Sequence, residues 1–373
     1  MLPAPPGTAR IPDLDDAWTL PRQGVRHRAV RTYAEKLRDR FASGPRCVSV
    51  RTIPLSSALY PTKYAFRAAA ASPAPLVSFT HRCLLVQFFQ RGVLKNLLFN
   101  PTDIVGARAT PYFAHMIEKF APLEKWFVKR YAPLEDQLAA FGLSPADVDY
   151  FAFDHFHTQD LRGQLGTEDG ARKTRFPNAT LLAPKCEWDD WDELHPMQRT
   201  WFVADGRKGV KTKNVALTDG DLHLGDGVML LRTPGHTSGN QTLFVSTDSG
   251  VWGTSENGTC ADCWAPRDSK IPGVAATARR EDLDVLINDN TPEGGADQHT
   301  STILERTVVD RAKERPAFCQ MFPSTEVTPS ALAPGLAPTL LFRGITHGTI
   351  AKPARAARPS SVERTTSSDA STR

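Results

Sequence analysis

Apolar residues recur along this chain in short runs bounded by Gly, Pro, Asn and Asp. Val48-Ser49-Val50-Arg51-Thr52-Ile53, Cys83-Leu84-Leu85-Val86-Gln87-Phe88-Phe89 and Leu97-Leu98-Phe99-Asn100 have the length and β-branched or aromatic content of strands. Val148-Asp149-Tyr150-Phe151-Ala152-Phe153 and Gly227-Val228-Met229-Leu230-Leu231-Arg232 read the same way. From Asp15 to about Ala42 the pattern changes. There Val30, Tyr33, Leu37 and Phe41 stand at helical spacing among charged residues, which predicts an amphipathic helix packed on the main domain. Ser144-Pro145 opens a short helical turn, with Ser as cap and Pro at its first position. Beyond about Lys352 the chain is rich in Ala, Arg, Ser and Thr, with Val362 as its large apolar residue, and should be disordered. The expected division is an N-terminal extension over 1–45, a main domain over 46–351 and a tail over 352–373.

Composition narrows the function classes. A chain of 373 residues with 40% hydrophobic content can bury one large core. Its net charge of +4 comes from 45 basic residues scattered among 41 acidic ones, with no basic stripe interleaved with aromatics, so nucleic acid is not an expected partner. No apolar run reaches the ~18 residues of a membrane span. Met1-Leu2-Pro3-Ala4-Pro5-Pro6 lacks the basic and apolar regions of a signal peptide. Six cysteines do not make a disulfide scaffold at this length, and thiols in a cytoplasmic protein are the simpler expectation. Cys260-Ala261-Asp262-Cys263 could be a redox pair or an added metal ligand, with two ordinary thiols as the default.

The candidate chemistry lies where two of the strands end. After Phe153 comes Asp154-His155-Phe156-His157-Thr158-Gln159-Asp160. On extended backbone His155 and His157 project from one face, because side chains repeat every second residue. Neutral imidazole is a common ligand for Zn²⁺ and suits Fe and Mn. A third histidine, His236, sits in Thr233-Pro234-Gly235-His236-Thr237-Ser238-Gly239, a turn punctuated by Pro and Gly.

These motifs resemble the metallo-β-lactamase superfamily, in which a strand ends in His-x-His-x-Asp-His and a later strand leads into Pro-Gly-His. Phe141-Gly142-Leu143-Ser144-Pro145-Ala146-Asp147-Val148-Asp149 is similar to the entry into the metal loop of lactonase-like members, and Leu222-His223-Leu224-Gly225-Asp226-Gly227-Val228 to the hairpin before the third histidine. The likeness covers about residues 47 to 330 and implies an α/β fold, a four-layer αββα sandwich. It also implies one metal on His155, His157 and His236. The second site departs from the family. Gln159 and Asp160 replace its Asp and His, Glu256 stands at the bridging carboxylate, and Met321-Phe322-Pro323-Ser324-Thr325-Glu326 has no late histidine. His347 could substitute if the C-terminal strand is placed differently.

The activity implied is metal-dependent hydrolysis of a small ester, lactone or acyl compound. Zn²⁺, one ion or two, is the expected cofactor, with Fe²⁺ or Mn²⁺ as alternatives. Glu256 would be a fourth ligand, and Asp160 a ligand or the base that holds the water, unless it caps the following turn. Two rivals stay open: a mononuclear iron oxidoreductase, and a metal-poor binding protein. A substrate pocket could be lined by Pro111-Tyr112-Phe113-Ala114-His115-Met116, by Leu123-Glu124-Lys125-Trp126, and by Trp188, Trp191 and Trp201, although such aromatics also pack into cores. The N-terminal helix could instead be a lid, or a dimerisation arm giving a homodimer.

Overall fold

The computed structural model describes residues 2–121, 124 and 128–352. The expected disordered tail from 353 onward, and Leu123, Lys125 and Trp126 of the aromatic segment, lie outside the described residues.

Two sheets stack face to face. The smaller runs in the order β1 (Ala9–Ile11), β9 (Asp221–Gly225), β10 (Val228–Arg232), β11 (Gln241–Thr247) and β12 (Gly250–Thr254), all antiparallel. The larger runs β14 (Thr346–Gly348), β2 (Ser49–Pro61), β3 (Leu76–Gln90), β4 (Val93–Phe99), β6 (Tyr150–Ala152), β7 (Thr180–Pro184) and β8 (Val215–Thr218). In addition β13 (Thr325–Thr328) pairs with β3, and β5 (Lys129–Arg130) with β2. The pairs β4–β6, β6–β7 and β7–β8 are parallel.

Alternation along the strands assigns each side chain to a layer. Val228 and Leu230 of β10 meet Leu84, Val86, Leu97, Phe99 and Leu182 of the larger sheet in the central core. Met229 and Leu231, one residue out of phase, face the opposite way and pack with Val30, Leu37, Leu304 and Val308. On the larger sheet Leu85, Leu98, Phe151 and Leu181 turn outward onto Leu134, Leu138, Leu161 and Trp188. These outward residues meet the helices Gln23–Ser43 and Gly295–Val308 on one side, and Leu134–Ala140, Leu161–Leu165 and Lys185–Asp190 on the other. The result is an αββα sandwich, and the strand runs are apolar on both phases because both faces are covered.

The N-terminal pattern resolves into two helices, Asp15–Thr19 and Gln23–Ser43, because Pro21 interrupts between them. The buried stripe of the longer helix is Val30, Ala34, Leu37 and Phe41, while Tyr33 is exposed.

Candidate metal centre

Parallel pairing of β4 with β6 sets Phe99 opposite Ala152, so both strands end at one level. Open sheets place their sites at such strand ends. Asn100 follows β4 with a φ of 61° and ties the two ends together. Its N–H donates to the Ala152 carbonyl at 2.8 Å, its Nδ2 donates to Asp154 Oδ2 at 3.0 Å, and its Oδ1 accepts from the Asp154 N–H at 2.9 Å. The chain then passes through His155 and His157 before Thr158, at a φ of 63°, turns it away.

The third imidazole comes from the β10–β11 connection. Thr233 N–H donates to the Asn240 carbonyl at 2.8 Å, and Asn240 Nδ2 donates to the Thr233 carbonyl at 2.9 Å, closing the loop. Gly235 has a φ of 130°, and a Cβ there would lie 2.0 Å from Gln298 N, so only glycine lets the Gly295–Val308 helix pack against this turn.

The three rings converge. Centroids are 4.6 Å apart for His155–His157, 4.5 Å for His155–His236 and 4.9 Å for His157–His236. One ligand nitrogen from each lies within 4.8 Å of the others. All three residues are buried, and His236 Nδ1 is buried without a hydrogen-bond partner. Burial pushes the His157 and His236 rings well below their ordinary pKa, which leaves them neutral and available as ligands. His155 is also disfavoured by burial as a cation, but the Asp154 carboxylate, 2.8 Å from its Nδ1, raises it above the usual value. Gln198 Oε1 lies 2.5 Å from His157 Nε2. Buried, neutral, converging imidazoles with an orphaned nitrogen fit a divalent metal.

Among the described residues these three histidines form the one such cluster. Glu256 is not in it, but lines the same cavity, with its Oε2 at 2.8 Å from Ser324 Oγ. Ser324 Oγ gives its single proton to Asp154, so the proton in its contact with Glu256 belongs to the Glu256 carboxyl. Burial, with Asp154 close by, holds Glu256 above the usual carboxylate range.

The structure does not bring Asp160 to the histidines. Its carboxylate caps the Leu161–Leu165 helix, accepting from Arg162 N–H at 3.2 Å. Arg162 Nε and Nη2 reach its two oxygens at 2.8 Å each, and Arg172 Nη1 donates at 3.2 Å. Gln159 faces the cavity instead, its Nε2 donating to Thr102 Oγ1 at 3.0 Å and to the His157 carbonyl at 3.2 Å. His347 stands on β14 opposite Val50, its Nε2 3.2 Å from the Cys47 carbonyl oxygen, and does not line the cavity. Cys260 and Cys263 are buried in the core beneath the smaller sheet as free thiols. Sequence reasoning missed Asp154, Asn100, Gln198, Ser324 and Glu187. Asp154 alone had a local signal, standing directly before His155.

A cavity of about 440 Å³ opens from the histidines. Its walls are mainly apolar, including Phe79, Ile104, Tyr112, Phe113, Met116 and Val327. Trp201 lines it, whereas Trp188 and Trp191 pack into the core below the larger sheet. Burial pushes the Tyr112 phenol up to about 12, so it stays protonated as a hydrogen-bond donor.

No family model matches the chain. It is similar to N-acyl homoserine lactonase AttM of Rhizobium radiobacter, 27% identical over 181 residues, which are 45% of this chain and 61% of that protein. The protein of the same name from Rhizobium johnstonii is 29% identical over 154 residues, 38% of this chain and 52% of that protein. The chain therefore spans 61% of the length of the first of these relatives. A solved structure of a probable metal-dependent hydrolase from Staphylococcus aureus aligns with a TM-score of 0.47 and 14% identity, over 68% of this chain and 83% of that one. The fold is a layered αββα sandwich with the three histidines at its strand ends. In this sandwich the His-x-His loop leaves the larger sheet and the Pro-Gly-His turn leaves the smaller one, so the three histidines meet at the junction of the two. No helix among the described residues is long and apolar enough to cross a membrane.

Proposed function

We propose that this chain is a metal-dependent hydrolase of small lactones, or related esters, that carry an apolar substituent. The observation that carries this reading is three buried imidazoles converging at one end of a largely apolar cavity. The likeness to proteins named N-acyl homoserine lactonase supports the lactone.

His155, His157 and His236 would hold the metal, with Glu256 as a carboxylate ligand beside them. Zn²⁺ in such a set lowers the pKa of a bound water toward ~7 and polarises a carbonyl. Asp154 and Gln198 orient the His155 and His157 rings. Ser324 Oγ stands between Asp154 and Glu256, within hydrogen-bond distance of both. The apolar walls hold the substituent and exclude bulk water, which strengthens polar interactions at the reacting end. Asp160 enters as a brace of the following helix rather than as the base. Six unpaired cysteines support a reducing compartment, and with it a cytoplasmic location.

Elemental analysis of protein purified without chelator, beside His157→Ala, tests the site. We expect about one zinc per chain in the parent and none in the variant, together with turnover of N-acyl or alkyl lactones. About one iron per chain, lost likewise, would favour oxygen chemistry. No metal after reconstitution with Zn²⁺, Mn²⁺ and Fe²⁺ would remove the enzymatic reading.

A further inference from the structure

Glu187 is a carboxylate with 1% exposure, in the Lys185–Asp190 helix that follows β7. Its partners are a backbone amide and a hydroxyl rather than a lysine or arginine. Oε1 accepts from the N–H of Phe156, the residue between His155 and His157, at 2.6 Å. Oε2 accepts from the Thr237 hydroxyl, next to His236, at 2.9 Å. One side chain therefore bridges the two loops that carry the three imidazoles. Gly239 makes room for it, because a Cβ at that position would lie 2.5 Å from Glu187 Cβ and 2.8 Å from Oε2. Burying a carboxylate on neutral donors is costly, and an apolar side chain would fill the same space without that cost.

We propose that Glu187 is a positioning residue that sets the spacing of the His-x-His loop and the Pro-Gly-His turn, and so pre-arranges the three imidazoles for a metal. This rests on the metal-site reading above. It goes beyond that reading by placing control of metal affinity on a side chain that is not a ligand.

Cobalt titration of the metal-free protein tests it, read by the visible absorption of bound Co²⁺ and by the rise in melting temperature that metal binding causes. Glu187→Ala should weaken Co²⁺ binding by about 10–100-fold, the usual cost of losing an outer partner of a metal site. Glu187→Gln should recover most of the affinity, since its carbonyl still accepts from Phe156 N–H while the Thr237 hydroxyl turns to accept. Gly239→Ala, which pushes the carboxylate aside without removing it, should weaken binding in the same direction. A Glu187→Ala protein that binds Co²⁺ with parental affinity and spectrum overturns the proposal, even if its metal-free form melts lower. Should that variant fail to fold, Gly239→Ala and Thr237→Val decide by the same criterion. Absence of Co²⁺ binding in the parent would instead remove the metal-site reading, and this inference with it.

Discussion

Arg162 and Arg172 close around the Asp160 carboxylate, and the Leu161–Leu165 helix rests on it. Removing that carboxylate leaves two guanidiniums and a helix N-terminus without their acceptor. Asp160→Ala should therefore lower stability by about 3 kcal/mol, the low end for a broken buried pair because both arginines reach solvent. Urea unfolding measures the loss, and the metal content of the folded fraction should not change. Asp221 is the opposite case. It is buried, Arg232 N–H donates to its Oδ1 at 2.6 Å, and burial pushes its pKa up to about 7. Its folded pKa exceeds the unfolded one, so between about pH 4 and pH 7 the folded state holds the extra proton. This group's contribution to stability therefore falls as pH rises through that window and is level above it. Asp221→Asn should flatten that part of the stability–pH curve, as chemical melts at pH 4, 5.5, 7 and 8 would show relative to the parent. Asp160 could be read as base or cap from the chain alone. The fold shows the cap, and the added contact from Arg172, 12 positions on, is invisible to a local motif.

The Gln23–Ser43 helix shows how periodicity translates into packing. Val30, Ala34, Leu37 and Phe41 advance by four, three and four residues, which keeps them on one face against the Gly295–Val308 helix and the smaller sheet. Leu37→Ala should cost about 2–5 kcal/mol in a denaturant melt, whereas Tyr33→Ala, at 38% exposure, should cost far less. Helical spacing alone admits Tyr33 into the stripe. The structure excludes it because a phenol at the margin of the face gains more by keeping its hydroxyl wet. At strand level, β3, β4, β6 and β10 were legible as apolar runs. Short elements such as β5 and β14 carry no such run, and their pairing depends on where β2 happens to lie.

Across the whole molecule the two sheets bring their strand ends to one rim, and the Pro111–Phe120 helix covers it to form the cavity. If that cavity holds an apolar tail, filling it should discriminate by length. Met116→Trp should raise KM for long-tailed lactones by roughly tenfold, equivalent to about two methylenes left in water, while short-tailed ones are little affected. Steady-state kinetics over a chain-length series reads this directly, and equal effects on all lengths would place the tail elsewhere.

The amino-acid sequence by itself determined the longer apolar strands, most of the N-terminal amphipathic stripe and the identity of the three histidines, because each is written in local patterns, the spacing along a strand or helix, the His-x-His pair and the Pro-Gly-His turn. Tertiary structure decided the hydrogen-bond partners of the carboxylates near the histidines. Asp154, Glu187, Glu256 and Asp160 are chemically similar, and their roles come from partners that pairing and packing supply. Asn100 and Ser324 hold Asp154, Phe156 and Thr237 engage Glu187, and two arginines take Asp160 away. Apart from Arg162, two positions after Asp160, those partners lie well away along the chain, and an oxygen's hydrogen bonds depend on what folding places within about 3 Å of it.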